Sequence, residues 1–449
     1  MLPRSEIDNW AQTAPAATSD LSSDRAAYSA FWVRSGELLS RLPPRAGRSP
    51  AEIAAAESIL SAARASRIRF LRAHAPGVYD TLTAGRASFL RLDELCRRAS
   101  AEYPGLVPAV RALEAEARAA QRDKDGLEID QGLFLAHVLG DPAAGAHLCH
   151  AMLLPREEAR KRLPELERTG EIDLGPAHLR RQGKASVLTM RNPRFLNAED
   201  ESTLDAMEIA VDLALLDPQT EVCVLRGGAV EHPNHAGRRL FGAGINLTHL
   251  YQGKVPYLWY LIRDLGFVNK LYRGLARVDV HPDEASVEKL WVAAVEGFAI
   301  GGHCQILLTM DYVIAEEDAY LTLPARKEGI VPGAANLRLP RFVGDRIARQ
   351  AVMAERRIEC ASPEGRLICD SIVRPGEMDA AIERTIASLT GSGVVSAASN
   401  RRAFRVAQEP LDLFRRYMAV YAREQAHCHF SPALIANLEA NWNAANRGG

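Results

Sequence analysis

Phe241-Gly242-Ala243-Gly244-Ile245-Asn246-Leu247 and, about fifty residues later, Val295-Glu296-Gly297-Phe298-Ala299-Ile300-Gly301-Gly302-His303-Cys304-Gln305 decide how this chain folds. Each segment passes from an apolar lead-in through glycines into a stretch that can begin a helix. Glycine takes backbone conformations that a Cβ forbids and lets the main chain approach a ligand closely. The first N–H groups of a helix lack intrahelical acceptors and sit at the positive end of its dipole. Two such groups aimed at one oxygen make an oxyanion hole, which stabilises an enolate or tetrahedral oxyanion without a metal.

The pattern extends on both sides. Ala185-Ser186-Val187-Leu188-Thr189-Met190 reads as a strand and leads into Arg191-Asn192-Pro193-Arg194-Phe195-Leu196-Asn197-Ala198, while Gly329-Ile330-Val331-Pro332-Gly333-Ala334 closes the run. Val222–Leu225, Leu290–Val295 and Asp311–Ala315 read as further short apolar strands between helical stretches, the alternation of an α/β fold with repeated ββα units. In this order the segments resemble the crotonase (enoyl-CoA hydratase/isomerase) superfamily across roughly residues 183–390. The resemblance implies a ClpP-like α/β spiral of ββα units with an N-terminal helical domain. It also implies C-terminal helices that support a homotrimer or dimer of trimers. Carried over by position, the oxyanion donors are the N–H groups of Ile245 and Gly302, with Ala243, Gly244, Asn246 and Gly301 beside the substrate.

Hydratases of that superfamily use two glutamates as general acid and base. Those positions fall on Gln305 and on Ala325 in Leu323-Pro324-Ala325-Arg326. Gln transfers no proton near neutral pH and Ala has no acid–base chemistry. Hydration is therefore disfavoured, and what remains is a site that stabilises a thioester enolate without the usual acid to quench it. A carbanion in an apolar pocket can pass an electron to dioxygen. The whole architecture, longer than one domain of the superfamily, resembles its arylacetyl-CoA dioxygenases of glycopeptide-antibiotic biosynthesis. That resemblance implies reaction of a dihydroxyphenylacetyl-CoA with O2 to give an arylglyoxylate and CoA, with no metal or other cofactor. The product would supply dihydroxyphenylglycine for a nonribosomal peptide. Two alternatives stand beside it: a thioester hydrolase or isomerase that ignores oxygen, and a silent acyl-CoA-binding scaffold.

Other residues divide between structural and functional readings. Gln305 follows Gly302 by one turn, so its amide either faces the oxyanion site or packs in the helix. Glu199 lies in an acidic first turn, Asn197-Ala198-Glu199-Asp200-Glu201, which the helix dipole alone would explain. Its functional reading is that it accepts a hydrogen bond from a substrate phenol or helps withdraw a proton. Arg263, in the apolar run Tyr257–Leu265, needs a partner: a ring hydroxyl, Glu199, or its neighbour Asp264. The loop Glu231–Arg239 offers His232, Asn234, His235 and Arg238 to the phosphates or adenine of CoA, or is simply solvated. Arg194 is the better CoA candidate, because the family often places a basic residue there. The pairs His147/His150, His232/His235 and His427/His429 each supply two ligands, yet none brings a convincing third for a non-haem iron, so no metal is expected.

Composition sets outer limits. The 449 residues carry 47% hydrophobic and 25% charged side chains and a formal net charge of −1, which gives no global case for nucleic-acid or membrane binding. No apolar run approaches the roughly 18 residues of a membrane span, and no signal-peptide pattern opens the chain, so a cytoplasmic location is expected. The seven cysteines are scattered without a C-x-x-C pair and read as buried thiols. The expected organisation is a loose segment over 1–22, a helical domain over 23–168, the α/β core over 183–390 and a helical region over 391–449. Ser49-Pro50-Ala51-Glu52 predicts a capped helix start. Pro43-Pro44, Pro76-Gly77 and Asp141-Pro142 predict helix breaks. The helical domain is read as packing on the core or a neighbouring subunit, with closure of the active site as its alternative role.

Overall fold

Branched apolar residues recurring at alternate positions build the central sheet. Its strands are β1 (Glu171–Asp173), β2 (Ala177–Gln182), β3 (Ala185–Met190), β4 (Val222–Gly227), β5 (Leu290–Val295), β6 (Tyr312–Glu316) and β7 (Ser371–Val373). They lie side by side in chain order. The first two pairings are antiparallel and the rest parallel. The computed structural model describes residues 2–391 and 395–446. Met1, 392–394 and 447–449, which belong to the expected terminal segments, lie outside the described residues.

Both faces of β3 to β6 are buried, as a parallel sheet requires. Leu188, Leu225, Trp291, Ala293 and Val313 point into the larger core, which the helix Glu201–Leu216 helps to fill. The alternate residues Val187, Val224, Val292 and Ile314 meet Met378, Ala381, Ile382 and Ile386 of the helix Met378–Thr390. A second, three-stranded sheet pairs Phe298–Ile300 with Tyr320–Thr322 in parallel and adds Ile358–Glu359. It carries the second glycine segment into the helix Gly302–Leu307.

The chain forms two compact units, one of residues 1–151, 251–258 and 414–436 and the other of 152–250, 259–413 and 437–449. The first is helical. Residues Arg4–Gln12, expected to be loose, are a helix whose Trp10 stacks on Phe31 at 4.5 Å between ring centres. Ser49 caps the helix Pro50–Leu82 in a reciprocal box with Glu52. That helix runs unbroken through Pro76 and Gly77, contrary to the expected break. Ala75, Val78, Tyr79 and Leu82 are buried around the proline, and this packing outweighs the local preference. Residues 414–436 join this unit and not a separate C-terminal region. Tyr257 donates its hydroxyl to the Ala422 carbonyl, Arg415 donates to the Gly140 carbonyl, and Gly132 leaves no room for a Cβ beside Ala426.

In the second unit, buried charges tie helices and connecting segments to one another. Lys270 lies 2.8 Å from Glu208 and 2.7 Å from Asp212, all three side chains without solvent exposure. Arg401, on the helix Val395–Gln408, donates to the carbonyls of Leu271, Tyr272 and Lys289. Arg338 makes two hydrogen bonds to Glu409, whose carboxyl is held down at about 2 although burial opposes this.

Two expectations follow from these burials. Lys270→Met removes the ammonium that both carboxylates share, leaving Glu208 to Arg156 at 3.2 Å, and should cost about 3–5 kcal/mol, read as a lowered unfolding midpoint. His429, fully buried in the helical unit, has its pKa pushed by burial from an ordinary 6.5 down to about 3. Between those values the unfolded chain binds a proton that the folded one refuses, so stability falls as pH drops below about 6.5. Thermal midpoints measured from pH 7 to pH 4 should fall less steeply in His429→Gln than in the unsubstituted protein.

Candidate active site

The two glycine segments meet backbone to backbone. Gly244 takes φ +78°, and a Cβ there would stand 2.8 Å from the Ile300 carbonyl and 3.2 Å from the Gly302 nitrogen. Its own carbonyl accepts the Glu199 N–H at 2.7 Å, and the Asn246 N–H returns to the Glu199 carbonyl at 2.8 Å. In a trans peptide the C=O and the following N–H point opposite ways, so the Ile245 N–H is turned away from Glu199. Among the described residues neither the Ile245 N–H nor the Gly302 N–H has an acceptor. Gly302 opens its helix, where a free N–H is expected. Ala243 and Gly301 are fixed through N–H bonds to the carbonyls of Leu196 and Thr322.

Arg263 stands at the centre of this region with 3% of its side chain exposed. It meets both sequence-adjacent and distant partners. Its Nε and Nη2 each lie 2.8 Å from an oxygen of Glu199, a two-pronged ion pair. Its Nη1 donates to Asp264 at 2.8 Å and to the Gln305 amide oxygen at 3.0 Å, and Nη2 also donates to the Gly302 carbonyl at 2.8 Å. Burial raises the Asp264 carboxyl, with Arg263 and Arg338 partly offsetting it. The run that reads as a plain apolar helix is an α-helix over Tyr257–Ile262 followed by a π-helical turn over Arg263–Phe267. Such turns are rare and often mark functional sites. Gly266 in that turn sits against the Glu208 carboxylate, where a Cβ would come within 2.9 Å. Gly302 and Gly333 press on the cluster in the same way: a Cβ would fall 2.5 Å from Glu199 Oε2 at the first and 2.4 Å from Gln305 Oε1 at the second.

Glu199 is not part of a helical first turn. Asp200 caps the helix Glu201–Leu216, and Glu199 precedes it, buried and turned to Arg263. Asn246 donates its side-chain amide to Asp200 at 2.8 Å. The CoA candidates stand apart from the Arg263 cluster. Arg194 is exposed, with its guanidinium 5.9 Å from the Phe195 ring. His232 and His235 have ring centres 5.8 Å apart, and the Asn234 N–H donates to His232. Arg238 faces the carboxylates of Glu316 and Asp318 at 3.7 and 3.6 Å.

Two groups in this unit escaped the sequence reading. His303 is fully buried and its Nδ1 accepts the Gly244 N–H at 3.0 Å, while burial pushes its pKa down to about 4. Its only sequence sign is a polar ring inside a glycine-rich helix start. Glu328, one turn after Ala325 in the short helix Ala325–Glu328, is buried and pushed up to about 7 by desolvation. His147 is hydrogen-bonded to the Tyr79 hydroxyl and stacked on Phe89, and His150 also leans on Phe89. Among the described residues no three His, Cys, Asp or Glu side chains are grouped for a metal ion.

Residues 180–409 match the family model described as enoyl-CoA hydratase/isomerase. The chain is 49% identical over 394 residues to the (3,5-dihydroxyphenyl)acetyl-CoA 1,2-dioxygenase of Amycolatopsis orientalis, covering 88% of this chain and 90% of the relative. It is 28% identical to the carnitinyl-CoA dehydratase of Salmonella enteritidis over 54% of this chain and 85% of that protein. The crystal structure of an enoyl-CoA hydratase from Mycobacterium avium subsp. paratuberculosis superposes with a TM-score of 0.50 at 20% identity, covering 60% of this chain and 97% of that one, a likeness of fold. The chain belongs to the enoyl-CoA hydratase/isomerase family.

Proposed function

We propose that this protein is a cofactor-independent dioxygenase that converts (3,5-dihydroxyphenyl)acetyl-CoA and O2 into (3,5-dihydroxyphenyl)glyoxylate and free CoA. Near-full-length similarity to a relative with that name carries the reading. The residues at the family's acid–base positions support it, since Gln305 and Ala325 cannot hydrate an enoyl thioester. The protein works in the cytoplasm as a homo-oligomer, a trimer or a dimer of trimers.

The thioester oxygen sits between the N–H groups of Ile245 and Gly302. An α-proton passes to a base, Glu199 or a substrate phenoxide, and leaves an enolate that is delocalised into the ring and held by those donors. The Glu199–Arg263–Gln305 cluster offers charge-assisted partners to a ring hydroxyl. Both Glu199 oxygens are engaged by Arg263, which holds the carboxylate in one orientation toward the substrate. The carbanion passes two electrons in succession to O2, forming a C–O bond and an α-peroxide. The peroxide attacks the thioester carbonyl and expels CoA thiolate. Loss of the second α-hydrogen as a proton then breaks the O–O bond and leaves the α-keto acid, with both oxygen atoms in the product. Exclusion of water keeps the carbanion from being quenched first. Arg194, exposed and without a carboxylate partner among the described residues, takes a CoA phosphate, and His232, Asn234, His235 and Arg238 line the approach.

Chelator-treated protein given the dihydroxyphenylacetyl thioester should consume O2 and release thiol in equal amounts, and ¹⁸O2 should put two labelled oxygens into the arylglyoxylate. Thiol release at an unchanged rate without oxygen would show a hydrolase instead. Gly302→Ala drives a methyl into Glu199 and should lower kcat by about 10²–10³-fold while circular dichroism stays native. Arg263→Lys keeps the charge and loses the fork, and turnover should fall by at least about tenfold.

A further inference from the structure

Gly244 is clamped through the peptide on each side of it. Its carbonyl takes the Glu199 N–H, and its N–H goes to His303 Nδ1 at 3.0 Å. The imidazole occupies a slot that exists only because residue 242 is glycine: a Cβ there would lie 2.3 Å from the ring. The Phe241 ring meets the imidazole edge-on at 5.8 Å between centres. With no exposure and walls on these sides, the imidazole has one orientation.

The hydrogen bond also sets the tautomer. Accepting from Gly244, Nδ1 carries no proton, so the ring proton sits on Nε2. Among the described residues Nε2 has no hydrogen-bond partner. A buried donor left unmet costs folding free energy. An asparagine would reach Gly244 with its side-chain oxygen, and an apolar residue would fill the slot, each without that ring donor. A position that keeps a locally unfavourable group is where function is to be sought. Nδ1 also lies 3.9 Å from Glu199 Oε2, the oxygen that accepts from Arg263 Nη2. Burial and Arg263 together outweigh Glu199 and hold the ring far below its ordinary pKa, so its acceptor lone pair persists at neutral pH.

We propose that His303 is the positioning residue of the oxyanion loop: by accepting the Gly244 N–H it fixes the residue whose following peptide N–H, that of Ile245, stabilises the substrate enolate. The assignment rests on the oxyanion chemistry proposed above but not on the oxygen step. His303 touches no substrate atom in this role. It removes a rotation of the Gly244 backbone that glycine would otherwise allow, and an oxyanion donor misplaced by about 1 Å costs on the order of 10²-fold in rate.

The experiment reads enolate formation directly, as α-hydrogen exchange of an arylacetyl-CoA in D2O under nitrogen. His303→Asn sets an amide oxygen near the place of Nδ1, while His303→Phe keeps a ring and removes the acceptor. His303→Met replaces the Phe variant if that protein does not fold. Exchange should slow about 10–100-fold in the acceptor-free variant, with thioester affinity within about threefold, and His303→Asn should recover most of the rate. Equal slowing in the Asn and Phe variants, or wild-type exchange in the acceptor-free variant, overturns the assignment. Wild-type exchange without O2 uptake sinks the dioxygenase reading and leaves His303 standing. No exchange in the unsubstituted protein overturns both.

Discussion

A guanidinium taken out of water must be met on every side, and at Arg263 that demand sets the arrangement around it. Its partners come from four separate places: Glu199 ahead of a helix, Asp264 next in the chain, the Gly302 carbonyl at a helix start, and Gln305 one turn on. Each satisfied donor therefore fixes one segment relative to the others. The π-helical turn turns Arg263 and Asp264 toward the cluster together, and Gly266 lets that turn lie against Glu208. Glu208 in turn is held by Lys270, so the charge inside the site is backed by a second buried ion cluster. Buried pairs of this kind contribute little net stability compared with apolar packing. What they provide here is position.

The same arrangement decides which chemistry is open. In a hydratase the residue at the place of Gln305 would be a titratable acid. Here it is an amide whose oxygen is taken by Arg263, and the second acid position is a methyl group. The N–H groups of Ile245 and Gly302 remain without an acceptor among the described residues. A site without the hydratases' two glutamates lacks the acid that in those enzymes returns a proton to the enolate. Oxygen is then the electrophile such a site can use.

Local features were legible in the sequence because local forces fix them. The capping box at Ser49, the alternating strands β3 to β6, the glycines at 244 and 302 and the loss of both glutamates are all readable from adjacent residues. Pro76 shows the limit. Read alone it breaks a helix, but buried neighbours on both sides keep the helix continuous. The stretch 414–436 shows it again: its partners at Leu139, Gly140 and Tyr257 lie far away in the chain, so nothing near it says where it belongs.

The sequence by itself determined the family, the strands and the chemistry that is missing, since these depend on residue type and order. Only the tertiary structure decided which partners Arg263 takes, that Glu199 leaves the helix start to meet it, and that His303 holds Gly244. Each of those is a choice among several polar groups within reach, made by burial and by the room that Gly242, Gly302 and Gly333 leave. Spacing along a chain does not encode that room. It arises when distant backbones are brought into contact.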